Sequence, residues 1–166
     1  MSARILIAGV GNVFLGDDGL GPEVARRLAA APLPEGVSAV DYGIRGLHLA
    51  YALLEPLELL VIVDVLGQKA PPGTLFVLEP DLESLPAGDG SPHGMDLPAV
   101  FATVRQMGGT LPRLLIVGCV PEELGEQLGL SPSAQAAVEG CVALVRERVE
   151  RELRAQGPAT FKEAQP

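Results

Sequence analysis

Residues 4–22 read Arg4-Ile-Leu-Ile-Ala-Gly-Val-Gly-Asn-Val-Phe-Leu-Gly-Asp-Asp-Gly-Leu-Gly-Pro22, and this stretch decides the fold. Arg4–Ala8 is a short aliphatic run that stops at Gly9, and Pro22–Ala31 follows with Val24, Ala25 and Leu28 at helical spacing. That is strand, glycine-rich loop and helix. Pro22 suits a first helical turn, where its missing N–H costs nothing, and Pro32-Leu-Pro34 ends the helix.

Outward from this unit the same alternation recurs. Val37–Asp41 reads as a strand, Leu47–Leu54 as a short helix stopped by Pro56, and Leu59–Asp64 as a buried strand, apolar on both faces until its final acid. Thr74–Leu78 is a fourth strand. It follows the third so closely that a hairpin or an antiparallel edge is easier than a helical crossover. Residues 79–96 form a long loop, Leu97–Met107 a helix closed by Gly108-Gly109, and Arg113–Val120 a fifth strand. The last helix spans Ser133–Ala155, with Arg146/Glu150, Glu147/Arg151 and Arg148/Glu152 at i,i+4. The expectation is one α/β domain over residues 1–156, with helices on both faces of a sheet and a flexible tail over 157–166.

Composition narrows the function. The 166 residues are 48% hydrophobic but only 4% aromatic, with no Trp and a mean hydropathy of +0.31, so the apolar content is aliphatic. Such a chain suits buried parallel strands and is short of stacking platforms for sugars or bases. Lys and Arg number 12 against 21 Asp and Glu, a net charge of −9 that repels phosphate backbones and anionic lipid. Nucleic acid and membrane are therefore not expected as partners. Cys119 and Cys141 are too few for a disulfide framework and sit in apolar surroundings, as reduced, buried thiols do. With no targeting signal and no apolar run of membrane-spanning length, the expectation is a cytoplasmic monomer.

In open α/β sheets, sites form at the carboxyl ends of strands, so the residues that follow each apolar run carry the chemistry. Those ends supply Asp17 and Asp18 after the first strand, Asp41 after the second and Asp64 at the third; Ser91-Pro-His93 lies in the long loop. The Gly9-Val-Gly11 turn invites a dinucleotide reading, but Phe14 stands where the fingerprint needs its third glycine, and two acids crowd the helix start. Helix capping would account for one of those acids. A carboxylate ending a buried strand, as Asp64 does, needs either loop N–H donors or a ligand. Two such acids and His93 in one crevice make a mixed N/O set suited to a divalent first-row metal. His48 reads as a helix-surface residue, and Cys119, without an adjacent base, is not expected to be a nucleophile.

The residues from Gly9 to Gly21 resemble the N-terminal signature of the hydrogenase maturation endopeptidases. The resemblance continues through Val61-Ile-Val-Asp64, Ser91-Pro-His93, Val117-Gly-x-x-Pro121 and Gly129-Leu-Ser-Pro132, in the family's order and covering roughly residues 4–145. It implies a three-layer α/β/α sandwich with a twisted, mostly parallel but mixed five-stranded sheet. It also implies an enzyme that removes a short C-terminal extension from the large-subunit precursor of a nickel–iron hydrogenase after nickel insertion. The family's metal-binding and catalytic trio maps onto Asp18, Asp64 and His93, and would meet nickel carried by the substrate; another divalent metal can substitute.

One loop departs from the family pattern: Asp41-Tyr-Gly-Ile-Arg-Gly46 replaces a stretch close to Asp-Gly-Gly-Thr-x-Gly, leaving Arg45 either to pair with a substrate acid or to stand as a surface cation. Two mechanisms stay open, a metal-activated water or a carboxylate general base such as Asp17 or Asp41. No Ser–His–Asp or Cys–His set is apparent, which disfavours an acyl-enzyme. The competing expectation is a non-catalytic nucleotide-binding or nickel-chaperone module built on the Gly9–Gly11 loop.

Overall fold

The computed structural model describes residues 4–82 and 95–163, with side chains to Gln156. Five strands, β1 (Ile5–Val10), β2 (Val37–Gly43), β3 (Leu59–Val65), β4 (Leu75–Leu78) and β5 (Arg113–Cys119), form one sheet in the order β2-β1-β3-β5-β4. The helices are α1 (Leu20–Ala29), α2 (Gly46–Ala52), α3 (Leu97–Gln106) and α4 (Pro132–Glu163), and a 3₁₀ turn, Gly16–Gly19, precedes α1.

The first three pairings outward from β2 are parallel, and β4 is antiparallel to β5, with Leu75 opposite Cys119 and Leu78 opposite Ile116. The antiparallel edge expected from the short β3–β4 connection is present, but the hairpin is not. Both edges of β3 are already taken by β1 and β5, so the chain passes over to the free edge of β5. A strand of four residues, none fully buried, is what a sheet edge tolerates.

Side-chain alternation divides the core into two. Ile5, Ile7, Leu59, Val61, Val63, Leu115 and Val117 pack with α1 and α4, while Leu6, Ala8, Leu60, Ile62 and Leu114 pack with α2 and α3. This is the three-layer sandwich. Both faces of β1 and β3 are buried, which is why these strands read as unbroken aliphatic runs. Helix α4 runs to Glu163, past the Ala155 end expected from the sequence. Of its expected i,i+4 pairs, Glu147–Arg151 forms at 3.0 Å; Glu152 instead takes Arg113 at 2.6 Å. Among the described residues, no helix is long and apolar enough to cross a membrane.

The start of α1 is pressed against the strand ends. A Cβ on Gly21 would lie 2.2 Å from the Val63 carbonyl oxygen and 2.4 Å from that of Val10, so only glycine permits this approach. The loop carrying Asp17 and Asp18 is thereby folded down over β1 and β3.

Candidate functional site

The four strand-end acids have four different surroundings, and only two of them come together. Asp17 is fully buried and saturated: its Oδ1 accepts the Ser131 amide at 2.7 Å, and its Oδ2 accepts the Glu122 and Glu123 amides at 2.8 and 3.1 Å and the Ser131 hydroxyl at 2.8 Å. Burial alone would raise its carboxyl, but these bonds outweigh it and hold Asp17 below the ordinary range. An ionised carboxylate with every oxygen engaged and no access to solvent cannot serve as a general base, so that role, left open by the sequence, is closed to Asp17.

Asp41 is on the wrong side of the sheet. It shares the parity of Val37 and Ala39, which pack with the α1–α4 core, and its Oδ2 lies 3.7 Å from the Arg26 guanidinium. Asp64 shares the parity of Leu60 and Ile62 and faces the α2–α3 side. The structure therefore removes Asp41 as a candidate base.

Asp18 and Asp64 remain. Asp18 Oδ2 accepts the Asn12 amide at 2.8 Å, and Asp64 Oδ1 accepts the amide of the next residue, Val65, at 2.7 Å. Each keeps its second oxygen without a hydrogen-bond donor, and neither has an ion-pair partner, among the described residues. Burial raises the Asp18 carboxyl, and burial reinforced by the charge of Asp18 pushes Asp64 well above the usual carboxylate range. Two half-buried acids in one another's field, with oxygens to spare and no cation among the described residues, form an arrangement that a divalent cation would stabilise. Among the described residues no three metal-ligating side chains converge, and His93, the expected third ligand, lies outside the described residues.

Asp18 is held in place by close packing of backbone. At Gly11, φ is +140°, and a Cβ would fall 1.9 Å from the Asp18 carbonyl oxygen. The space that a dinucleotide loop would leave for a pyrophosphate is filled by the chain itself, which removes the structural basis of the nucleotide reading.

The departures in the second loop are mainly structural. Tyr42 is buried in the α2–α3 core, with its hydroxyl pushed above its ordinary value by that burial. Arg45 Nε donates to the Tyr42 carbonyl at 3.1 Å, and its Nη2 to the Asp41 carbonyl, so the guanidinium closes its own loop. His48 is exposed on α2, as expected. Cys119 and Cys141 are buried free thiols, both raised by burial, Cys141 to about 12; neither is a nucleophile. Sequence reasoning missed Asn12 and Ser131 as partners of the two adjacent acids. Ser131-Pro132 ahead of a helix is an N-cap followed by proline at the first helical position, and that signal was available.

The profile of the hydrogenase maturation proteases matches residues 22–148. The hydrogenase 2 maturation protease of Escherichia coli is 31% identical over 138 residues, covering 82% of this chain and 84% of that protein. The hydrogenase expression/formation protein HupD of Rhodobacter capsulatus is 35% identical over 166 residues, covering 97% and 76%. Among solved structures, a hydrogenase maturating endopeptidase of Escherichia coli superposes with a TM-score of 0.76 at 32% identity, covering 93% of this chain and 94% of that one. A [NiFe] hydrogenase maturation protease of Thermococcus kodakarensis does so with a TM-score of 0.66 at 27% identity, covering 87% and 91%.

Proposed function

The chain belongs to the hydrogenase maturation protease family and is a peptidase, and from that premise we propose that it removes a short C-terminal extension from the large-subunit precursor of a nickel–iron hydrogenase once nickel has been inserted. The observation that carries this reading is the Asp18–Asp64 pair, two carboxylates in each other's field with no cation beside them among the described residues. In this reading Asp18, Asp64 and His93 are the groups that meet the nickel held by the substrate. A carboxylate pair short of one cation gains affinity for a precursor that brings it, so an unloaded precursor is not cut.

Nickel carried by the precursor would polarise the scissile carbonyl, with water as the attacking nucleophile. The saturation of Asp17 and the placement of Asp41 on the opposite face leave Asp18 and Asp64 as the acids able to orient that water or accept its proton. Peptide hydrolysis then needs no covalent intermediate, in keeping with two thiols that are buried and protonated. The enzyme acts on its own in the cytoplasm.

The test is to incubate nickel-loaded and metal-free precursor with the wild type and with His93→Ala, and to follow the C-terminus by mass spectrometry. Shortening is expected only for the loaded precursor with the wild-type enzyme. Shortening that needs neither nickel nor His93 overturns the reading.

A further inference from the structure

Beside the Asp18 turn, two segments distant in sequence are stitched together by main chain. The Gln127 amide donates to the Phe14 carbonyl at 3.0 Å, the Gly16 amide to the Gln127 carbonyl at 2.8 Å and the Asp17 amide to the Glu123 carbonyl at 2.8 Å. Gly16, at φ +58°, allows this closeness, since a Cβ there would lie 2.6 Å from the Glu123 carbonyl oxygen. The Asp17 carboxylate fastens the same segment from within through Glu122, Glu123 and Ser131.

On this fixed backbone the chain exposes three large apolar side chains, Phe14 at 63%, Leu124 at 49% and Leu128 at 71%. Single exposed hydrophobics are ordinary, but three on two laced segments, next to a candidate metal ligand, mark a contact surface. The 122–128 segment also carries three exposed acids, Glu122, Glu123 and Glu126. Neither segment supplies a cation: there is no Lys or Arg between Arg4 and Arg26, or between Arg113 and Arg146.

We propose that the face formed by Phe14, Leu124 and Leu128 docks a segment of the large-subunit precursor that carries apolar side chains flanked by basic ones. The proposal rests on the reading of this chain as the precursor's protease. Continuity with the site selects the occupant. The Asp18 amide donates to the Leu15 carbonyl at 3.2 Å, so Phe14 directly precedes the turn that carries Asp18. Charge selects its character, because exposed acids on the same segment as the apolar side chains favour cations in the partner segment and speed encounter. The backbone beneath the face is already tied by these hydrogen bonds before binding, which limits the backbone ordering entropy lost on association.

Docking on this face does not depend on nickel, and that makes it separable from catalysis. Binding of metal-free precursor is measured by titration calorimetry, and cleavage of nickel-loaded precursor by steady-state kinetics, for the wild type, Leu128→Ser and Phe14→Ser/Leu128→Ser. The expected result is a KM about tenfold higher in the double variant, with kcat within about twofold, and a parallel loss of metal-free binding. Wild-type KM should also rise with salt as these acids are screened. An unchanged KM in the double variant overturns the proposal, as does a metal-free precursor that does not bind the wild type. So does a variant whose only change is in self-association by sedimentation, which would assign the face to a second copy. A wild type that binds the precursor but does not shorten it refutes the proteolytic reading and leaves the docking face standing. All three side chains are exposed, so unchanged unfolding midpoints are expected and serve as the check on folding.

Discussion

The Ser131 hydroxyl donates to Asp17 Oδ2 at 2.8 Å and itself accepts the Ala134 amide at 3.3 Å, so one side chain both caps α4 and ties it to the turn that carries Asp18. Ser131→Ala removes the cap and one of the four bonds to a buried carboxylate. A loss of about 1–2 kcal/mol is expected, read from urea unfolding. A change below about 0.3 kcal/mol would mean that water replaces both bonds.

Two glycines with positive φ should respond very differently to alanine. At Gly11 the added Cβ meets the Asp18 carbonyl oxygen at 1.9 Å, whereas at Gly43, φ +56°, the nearest atoms are 3.8 Å away. Gly43→Ala carries only the backbone strain, about 1–2 kcal/mol. Gly11→Ala must also push the Asp18 turn outward, so a loss of about 3 kcal/mol is expected together with loss of precursor cleavage. Equal effects at the two positions would show that the turn yields without disturbing Asp18.

The aliphatic strands were legible because a parallel sheet buried on both faces leaves its mark residue by residue, as in Leu59–Val63. The partner of β4 was not, since it depends on which sheet edge stays free after the parallel strands have paired. In the site, the rule of strand ends found Asp18 and Asp64 but over-collected. The exclusion of Asp41 could have been read from its parity with Val37 and Ala39. The exclusion of Asp17 could not: its partners lie 105 to 114 residues away, and no spacing rule reaches them.

The two thiols offer a check on the core. Burial is the main cause that raises both, Cys141 to about 12, and Cys119 also lies in the field of the Asp17 carboxylate. At pH 8 neither forms much thiolate, so iodoacetamide should leave the native protein unlabelled for hours and label both residues promptly in denaturant. Rapid native labelling of one thiol would reveal an opening of the α4 face not evident from its packing.

Asp64 should make the metal-free protein less stable as pH rises. Its carboxyl is raised in the folded state, first by burial and then by Asp18, so between the ordinary Asp value near about 4 and the higher folded value the native state binds more protons than the unfolded chain. The stabilisation is complete below the ordinary value and is lost as pH climbs through the folded one. Asp17 has the opposite sign: its lowered carboxyl contributes above the ordinary value and is lost on acidification below it. Asp64→Asn, which keeps the shape and removes the charge, should flatten the decline at higher pH and leave the acid limb set by Asp17. At pH 7.5 without metal the variant should be more stable than the wild type, by roughly 1.4 kcal/mol for each pH unit of the original shift. Added Zn²⁺ should reverse the order by stabilising the wild type more than the variant, because replacing one carboxylate by a neutral amide weakens binding of a divalent cation. A metal-free Asp64→Asn variant less stable than the wild type at that pH would show that Asp64 is held by favourable bonds, and would remove the electrostatic basis of the site.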